Sequence, residues 1–254
     1  MSSSAPWDYI AKLVCIGDSG CGKSSLTIRL CEGRFSAHHD VTIGVEFGSR
    51  IVPVGPPHTP AGPIPSLSSP DEPSSPAGLP EPRRDTSGIP QKHMKLSLWD
   101  TAGQETYKSV TRSYFRGASG ALLVFDLSRK ATFQHVTDWL NDLRQIAEPD
   151  IVIVLVGNKA DLTQQEDNKR EVTREEAEDW ARRNGILEYV ETSAKSGENV
   201  EKAFMRVAER IYQNIQAGKY NLNDRRSGVK GPGAGGNRQV KLSPDAAKSG
   251  GGCC

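Results

Sequence analysis

The first 30 residues contain a short apolar run, a glycine-rich loop and a helical stretch, one directly after another. The apolar run, Ile10 to Ile16, predicts a buried strand. The loop from Gly17 to Ser24 reads Gly-Asp-Ser-Gly-Cys-Gly-Lys-Ser and matches the pattern G-x-x-x-x-G-K-[ST] at its fixed positions. Leu26 and Leu30 then fall on one side of a helix that begins at the loop. A chain that begins in this way is predicted to build a β–loop–α unit that binds phosphate.

The loop assigns individual roles to two of its side chains. Backbone N–H groups of the loop and of the helix N-terminus would face phosphate oxygens. Lys23 would reach the β and γ phosphates, and the Ser24 hydroxyl would bind Mg²⁺. The alternative is a glycine-rich turn that carries a lysine by chance, which the strand–loop–helix context disfavours. The loop therefore predicts a nucleoside triphosphate and leaves the base open.

Two segments of the 254-residue chain lack the large apolar side chains that offset the entropy of ordering. Pro53 to Pro90 holds 12 of the 16 prolines, and Lys219 to Cys254 is rich in glycine and small residues. We predict an N-terminal extension over 1–9, one domain over 10–218 interrupted by a disordered insertion over 53–90, and a flexible tail over 219–254. The net charge of +1 gives no reason to expect a nucleic-acid partner.

Short apolar runs alternate with amphipathic stretches along the predicted domain, which is typical of a doubly wound α/β fold. The predicted strands are Ile10–Ile16, Val45–Val52, Met94–Trp99, Ala121–Phe125, Ile151–Val156 and Leu187–Val190. The predicted helices are Lys23–Leu30, Thr132–Ile146, Arg174–Arg183 and Val200–Ile215. We therefore expect a six-stranded, mostly parallel sheet with one antiparallel edge strand and helices on both faces.

The proline-rich insertion lies between the second and third predicted strands. No helix separates these strands, so they are predicted to form an antiparallel hairpin with the insertion at its turn. Lengthening the turn to about 40 residues adds only roughly 2 kcal/mol of closure entropy. The insertion is either a real loop or an artefact, that is, translated intron sequence or an error in the gene model, and the residues favour neither.

Two motifs after later strands point to guanine. Asn158-Lys159-Ala160-Asp161 follows the fifth predicted strand, at the sheet edge where such folds bind ligands. The Asp161 carboxylate would accept from guanine N1–H and N2–H₂, a pair of donors that adenine does not present, while Asn158 and Lys159 brace the loop and the ring. Ser193-Ala194-Lys195 would supply a backbone N–H for guanine O6 and a lysine stem along the base.

The segment Asp100-Thr101-Ala102-Gly103-Gln104 completes the predicted phosphate end. Asp100 is placed to hold Mg²⁺ through water, and Thr42 would give the metal a second hydroxyl ligand. Gly103 would bring its backbone N–H to the γ-phosphate, and Gln104 would orient the attacking water. Without the other motifs, Asp100 as a turn cap and Thr42 as a strand-edge residue would be the simpler interpretation.

Together these motifs resemble the Ras superfamily of small GTPases. Thr42–Phe47, Lys95–Asp100 and Tyr114–Ala118 resemble the Rab family specifically, and the likeness extends from Ile10 to Ile215 outside the insertion. The resemblance implies a P-loop fold that hydrolyses GTP to bound GDP with Mg²⁺ as cofactor. Catalysis would rest on Lys23 and Gln104. No arginine in these motifs is placed to assist, so we expect slow turnover that a GTPase-activating protein stimulates.

The resemblance also implies the full set of site residues. Phe35 would pack on the guanine, and effectors would bind a surface formed by Ile43, Phe47, Trp99 and Tyr114. The metal ligands would be Ser24, Thr42 and Asp100. The predicted GTP-binding residues are Ser19, Gly20, Cys21, Gly22, Lys23, Ser24, Ser25, Phe35, Thr42, Gly103, Asn158, Lys159, Asp161, Ser193, Ala194 and Lys195.

The terminal Gly-Gly-Gly-Cys-Cys resembles the Rab double-cysteine prenylation signal, with geranylgeranyl groups expected on Cys253 and Cys254. An unmodified tail is the alternative. The resemblance implies an exchange factor, a GTPase-activating protein, a GDP-dissociation inhibitor, a prenylation escort protein and effectors as partners. Gly228–Pro232, Thr111–Ala118 and the terminal residues together resemble most the second Rab subfamily, with the recycling-endosome branches as the alternative. That resemblance implies the cytoplasmic face of ER or Golgi membranes, with a cytosolic pool.

Two other functions are compatible with a phosphate loop. One is a scaffold that binds GTP and hardly hydrolyses it, against which Gln104, Gly103 and Thr42 argue. The other is a phosphotransferase acting on a small acceptor, which the guanine-reading motifs disfavour. A membrane-attached GTP/GDP switch for vesicle traffic is the function that the sequence favours.

Overall fold

The computed structural model describes residues 6–37, 41–58, 90–104, 108–164, 168–222, 224 and 227–231. Cys253, Cys254 and most of the predicted insertion lie outside these residues. Within the described part of the chain, none of the helices combines the length and the apolar character needed to span a bilayer.

One sheet forms the centre of the domain, with strand order β2-β3-β1-β4-β5-β6. β1 pairs parallel with β3 and β4, β5 lies parallel between β4 and β6, and β2 is the antiparallel edge strand. The α/β fold expected from the alternation is thus confirmed. The strands are β1 Tyr9–Ile16, β2 Val45–Val54, β3 Lys92–Thr101, β4 Gly120–Asp126, β5 Val152–Asn158, β6 Glu188–Glu191 and β7 Val229–Lys230.

Helices cover both faces of this sheet. Apolar side chains of α1 and α6 pack on one face, and those of α3, α4 and α5 pack on the other. The apolar stripe of α6, including Phe204 and Ile211, faces the core. The helices are α1 Lys23–Glu32, α2 Lys108–Ser113, α3 Lys130–Gln134, α4 Val136–Ile146, α5 Arg174–Arg183 and α6 Val200–Gln216, with a 3-10 turn at Ala160–Leu162.

Thr173, the residue before α5, caps the N-terminus of that helix. The Thr173 Oγ1 atom accepts a hydrogen bond from the Glu176 N–H at 3.2 Å. The Glu176 carboxylate pairs with Lys130, which ties α5 to the start of α3.

The edges of the predicted domain need correction. Pro53 and Val54, expected in the disordered insertion, belong to β2 and pair with β3. Proline fits there because an edge strand leaves one side without ladder partners. The following Gly55 N–H donates to the buried Glu209 carboxylate of α6 at 3.0 Å. Tyr9, expected in the N-terminal extension, is the first residue of β1.

The helix predicted over Thr132–Ile146 is two helices, α3 and α4, with a turn at His135. His135 has a ψ angle of −9°, far from the helical value of about −42°. The short α2 was not predicted, because a helix of 6 residues is too brief to show helical periodicity.

The sheet has a seventh strand that contradicts the expectation of six strands and of a flexible tail from 219 onward. β7 pairs antiparallel with Ile10 and Ala11 of β1, and β4 pairs with the same strand only from Leu13 onward. Val229 is fully buried, and the Gly228 carbonyl accepts from the Lys12 N–H at 2.9 Å. A Cβ at Gly228 would lie 2.2 Å from the Gly117 carbonyl oxygen, so this approach requires glycine. The first part of the tail is therefore fixed to the end of the sheet where β1 begins.

Candidate nucleotide-binding site

A cavity of about 460 Å³ lies at the carboxyl ends of the parallel strands, where doubly wound sheets bind ligands. Most of the predicted nucleotide-binding residues line it. These are Ser19, Gly20, Gly22, Lys23, Ser24, Ser25, Phe35, Thr42, Gly103, Asn158, Lys159, Asp161, Ala194 and Lys195. Cys21 and Ser193 are buried behind the wall and contribute through their hydrogen bonds. The ligand role of each residue stays a prediction, but the structure brings them around one space.

Backbone carbonyls of the loop between β1 and α1 bind the side chain of its lysine, Lys23. The Lys23 ammonium donates to the carbonyl oxygens of Gly17 at 2.8 Å and Asp18 at 2.9 Å. Gly22 has a φ of +90°, and a Cβ there would lie 2.3 Å from the Asn158 Nδ2 atom. The second glycine of the pattern is thus required both by its left-handed backbone and by its neighbour.

Burial lowers the pKa of Lys23 below its ordinary value, although nearby groups including Asp100 partly oppose the shift. The side chain is only 5% exposed, so its charge has lost most of its water. An anionic phosphate in the cavity would restore favourable surroundings for this ammonium. Lys23 is therefore a strong candidate for binding the phosphates.

Asn158, the last residue of β5, joins the phosphate loop to the segment after β6. Its Nδ2 donates to the Cys21 carbonyl at 2.8 Å, and its Oδ1 accepts from the Thr192 hydroxyl and the Ala194 N–H, each at 3.2 Å. The residue is 1% exposed, so these bonds form away from water. The bracing role predicted for Asn158 matches these contacts. One backbone N–H of Ser193-Ala194-Lys195 was expected to bind guanine O6, and in the structure the Ala194 N–H donates to Asn158.

Asp161 is positioned by Ser193. The Ser193 hydroxyl donates to the Asp161 Oδ1 atom at 2.6 Å, and the same hydroxyl accepts from the Ser196 N–H. Ser193 therefore acts by orienting the predicted guanine reader rather than by lining the cavity.

Lys159 is positioned by Asp126, a residue that the sequence reasoning missed. The Lys159 ammonium lies 2.7 Å from the Asp126 Oδ2 atom, and the Arg129 guanidinium binds the same oxygen at 3.0 Å. Burial by itself would raise the pKa of Asp126, but hydrogen bonds from Lys159 and Ser128 hold it below its ordinary value. Arg129 also donates to the Ser19 carbonyl at 3.0 Å. Through Lys159 and Arg129, Asp126 therefore connects the segment predicted to bind the base, called the base side below, to the phosphate loop. The available signal was a polar residue at the carboxyl end of a buried strand.

Arg29 of α1 was also missed. Its guanidinium donates to the Ala194 carbonyl at 2.8 Å and to the Lys195 carbonyl. It thereby holds the segment predicted to lie along guanine. Nothing in the local sequence marks an arginine whose partners lie 165 residues away.

The three predicted Mg²⁺ ligands provide oxygen atoms of the kind that this ion prefers. The Ser24 and Thr42 hydroxyl oxygens are 2.9 Å apart, which places two hydroxyls at one point of the cavity. The Asp100 carboxylate is buried and close enough to influence the pKa of Lys23. Mg²⁺ is usually held by one or two carboxylates together with substrate phosphates and water, so this set fits the ion.

Gly103 lies directly against the phosphate loop. The Ser19 N–H donates to the Gly103 carbonyl at 3.0 Å, and a Cβ on Gly103 would lie 2.5 Å from the Lys23 Nζ atom. Only glycine can approach the lysine this closely. Gln104, next along the chain, is half-buried and does not line the cavity, so its role with water stays a prediction.

Beside the cavity, the hairpin of β2 and β3 carries the predicted aromatic surface. The Phe47 and Trp99 rings are 4.6 Å apart edge to face, and the Trp99 and Tyr114 rings are 5.3 Å apart. The Lys12 ammonium lies 4.0 Å from the Trp99 ring centre. Phe47 and Ile43 are 67% and 77% exposed, so this cluster presents apolar area to solvent.

Comparison with known protein families decides what this arrangement is. A model of the Ras family matches residues 12–59 and 80–213, which is more than half of the chain. The chain belongs to the Ras family. The unmatched interval, 60–79, falls within the proline-rich segment predicted as an insertion.

Membership of the Ras family identifies the ligand of the cavity as a guanine nucleotide. The chain is a small GTPase that binds guanine nucleotide and hydrolyses GTP, and members of the family generally use Mg²⁺. They are switched by exchange factors and GTPase-activating proteins and act through effectors.

Proposed function

We propose that this small GTPase is a Rab-type switch that regulates intracellular vesicle traffic from the cytoplasmic face of a membrane. The observation that carries the proposal is the contacting set Phe47, Trp99 and Tyr114 beside the segment that holds Thr42. Thr42 touches Ser24 at the phosphate end, so loss of the γ-phosphate would disturb the chain next to the aromatic surface. An effector that binds this surface would thereby distinguish GTP from GDP.

Hydrolysis in this site would depend on positioning and on charge. Lys23 binds the β and γ phosphates from the loop, and Gln104 orients the water that attacks the γ-phosphate. Ser24, Thr42 and Asp100 would hold Mg²⁺, which would neutralise part of the phosphate charge. The intrinsic rate is slow, and an arginine from a GTPase-activating protein accelerates it by about 10³–10⁵.

Substitution of Gln104 by leucine tests the catalytic part of the proposal. Leucine is similar in size but cannot orient water, so single-turnover hydrolysis of preloaded GTP should slow by at least about tenfold. GDP affinity should stay within about twofold, because Gln104 does not line the cavity. Hydrolysis at the wild-type rate would remove Gln104 from this role.

Attachment to the membrane is proposed for the end of the chain. Geranylgeranyl groups on Cys253 and Cys254 would anchor the protein stably, because two lipid chains give stable membrane attachment whereas a single chain binds weakly and reversibly. A GDP-dissociation inhibitor then maintains the cytosolic pool, and an escort protein presents the tail for prenylation. Transport between ER and Golgi is the proposed pathway, with endosomal recycling as the alternative.

Mass spectrometry of the native protein tests identity and anchoring together. The expected result is co-purified GDP or GTP and two prenyl groups at the C-terminus. Unmodified Cys253 and Cys254 would contradict the membrane role and leave the GTPase assignment intact.

A further inference from the structure

Asp18 is a loop residue to which the nucleotide-binding motif assigns no role. Its Oδ1 atom accepts from the Trp139 Nε1–H at 2.7 Å, and its Oδ2 atom lies 2.7 Å from the His135 Nδ1 atom. Both oxygens are therefore engaged from the corner where α3 meets α4. Hydrogen bonds to an ionised acceptor are shorter and stronger than neutral ones, and these distances fall in that range.

The backbone of the same residue contacts the nucleotide-binding lysine. The Asp18 carbonyl accepts from the Lys23 ammonium at 2.9 Å. The peptide unit after Asp18 also carries the Ser19 N–H, which bonds to Gly103. Because one residue joins these contacts, a rotation of Asp18 would displace both the Lys23 ammonium and the loop N–H groups that face phosphate.

The corner that holds Asp18 packs on the core through Trp139. Trp139 is buried in the apolar cluster between α4 and the sheet. The backbone N–H of Trp139 donates to the His135 carbonyl at 3.2 Å, and the backbone N–H of His135 donates to the Ala131 carbonyl. The two side chains that reach Asp18 thus come from one hydrogen-bonded turn fixed on the core.

We propose that Trp139 and His135 are positioning residues for nucleotide binding, which act by orienting Asp18 and through it Lys23. Neither residue lines the cavity, so their effect on the nucleotide is indirect. This role requires only that the protein binds guanine nucleotide, as Ras-family proteins do. Its failure would leave the proposed membrane role unaffected.

Trp139→Phe tests this directly, because phenylalanine keeps an apolar ring in the core and removes the N–H donor. Trp180→Phe is the matched control: the Trp180 Nε1–H donates to the Thr137 hydroxyl at 3.1 Å, between α4 and α5 and away from the loop. GDP release, followed with a fluorescent GDP analogue in excess Mg²⁺, should become about tenfold faster in Trp139→Phe and stay within about twofold in Trp180→Phe. Equal release rates in the two variants would overturn the proposal.

A double-mutant cycle separates positioning from simple packing. Asp18→Ala should also release GDP about tenfold faster, and adding Trp139→Phe to it should change the rate by less than about twofold. If Trp139 served only the core, the two effects would multiply, and that result would contradict the proposal. If Trp139→Phe does not fold, His135→Phe against Asp18→Ala gives the same cycle, since His135 is exposed.

Discussion

The two sides of the nucleotide cavity are built differently. The phosphate loop and the segments around Asn158 and Asp161 are held by hydrogen bonds within the chain, and Lys23 and Asn158 are almost inaccessible to solvent. The opposite side, from Val41 to Phe47, projects apolar side chains into solvent. It reaches the phosphate end through the Ser24–Thr42 contact and the bond from the Ala102 N–H to the Gly44 carbonyl.

This difference separates binding from signalling. A preformed side can bind the features that GTP and GDP share, because its geometry does not depend on the third phosphate. The side from Val41 to Phe47 touches the phosphate end through Thr42, so it can change when that phosphate is lost, and its exposed aromatic cluster can report the change to a partner. The substitutions below should affect nucleotide affinity strongly on the first side and weakly on the second.

Asn158→Ala should have the largest effect. It removes a side chain that bonds to Cys21, Thr192 and Ala194, and it leaves buried polar groups without that partner. Such losses cost about 3 kcal/mol or more, so GDP affinity measured by calorimetry should fall at least about 100-fold. A fall below about tenfold would mean that the preformed side does not depend on this residue.

Arg29→Ala should have an intermediate effect. The guanidinium holds the carbonyls of Ala194 and Lys195, so its loss should loosen the base side and weaken GDP binding about five- to tenfold. Arg34→Ala is the control, because Arg34 is exposed and pairs with Glu32 outside the cavity. An Arg29 variant that binds GDP as tightly as the Arg34 variant would remove Arg29 from the site.

Phe47→Ala should have the smallest effect on nucleotide. The ring is mostly exposed, so we expect GDP affinity, measured by calorimetry, within about twofold of wild type and little change in thermal unfolding. Phe133→Ala is the contrast, since the same residue type is buried there and its loss should cost about 3–5 kcal/mol of stability. A loss of GDP affinity in Phe47→Ala as large as that in Asn158→Ala would erase the distinction between the two sides.

The parts of the structure that follow local pattern could be predicted from the sequence. The spacing of apolar residues indicates the boundaries of α5, the full burial of β5 and the core-facing stripe of α6. The phosphate loop was equally visible, because its fixed residues lie within one short segment.

Contacts between distant residues could not be predicted in this way. Asp126 and Arg29 join segments far apart in the chain, and β7 has only two residues, too few for alternation to be seen. The turn at His135 has no helix breaker beside it. These features arise from tertiary packing, which composition and periodicity do not encode.

Amide hydrogen exchange of the protein loaded with GDP, compared with a non-hydrolysable GTP analogue, tests the division of the cavity most directly. Protection should change in residues 41–47 and 102–104 and stay the same in 158–161 and 193–195. Equal protection of 41–47 in both states, or changes concentrated in the base-side segments, would contradict it.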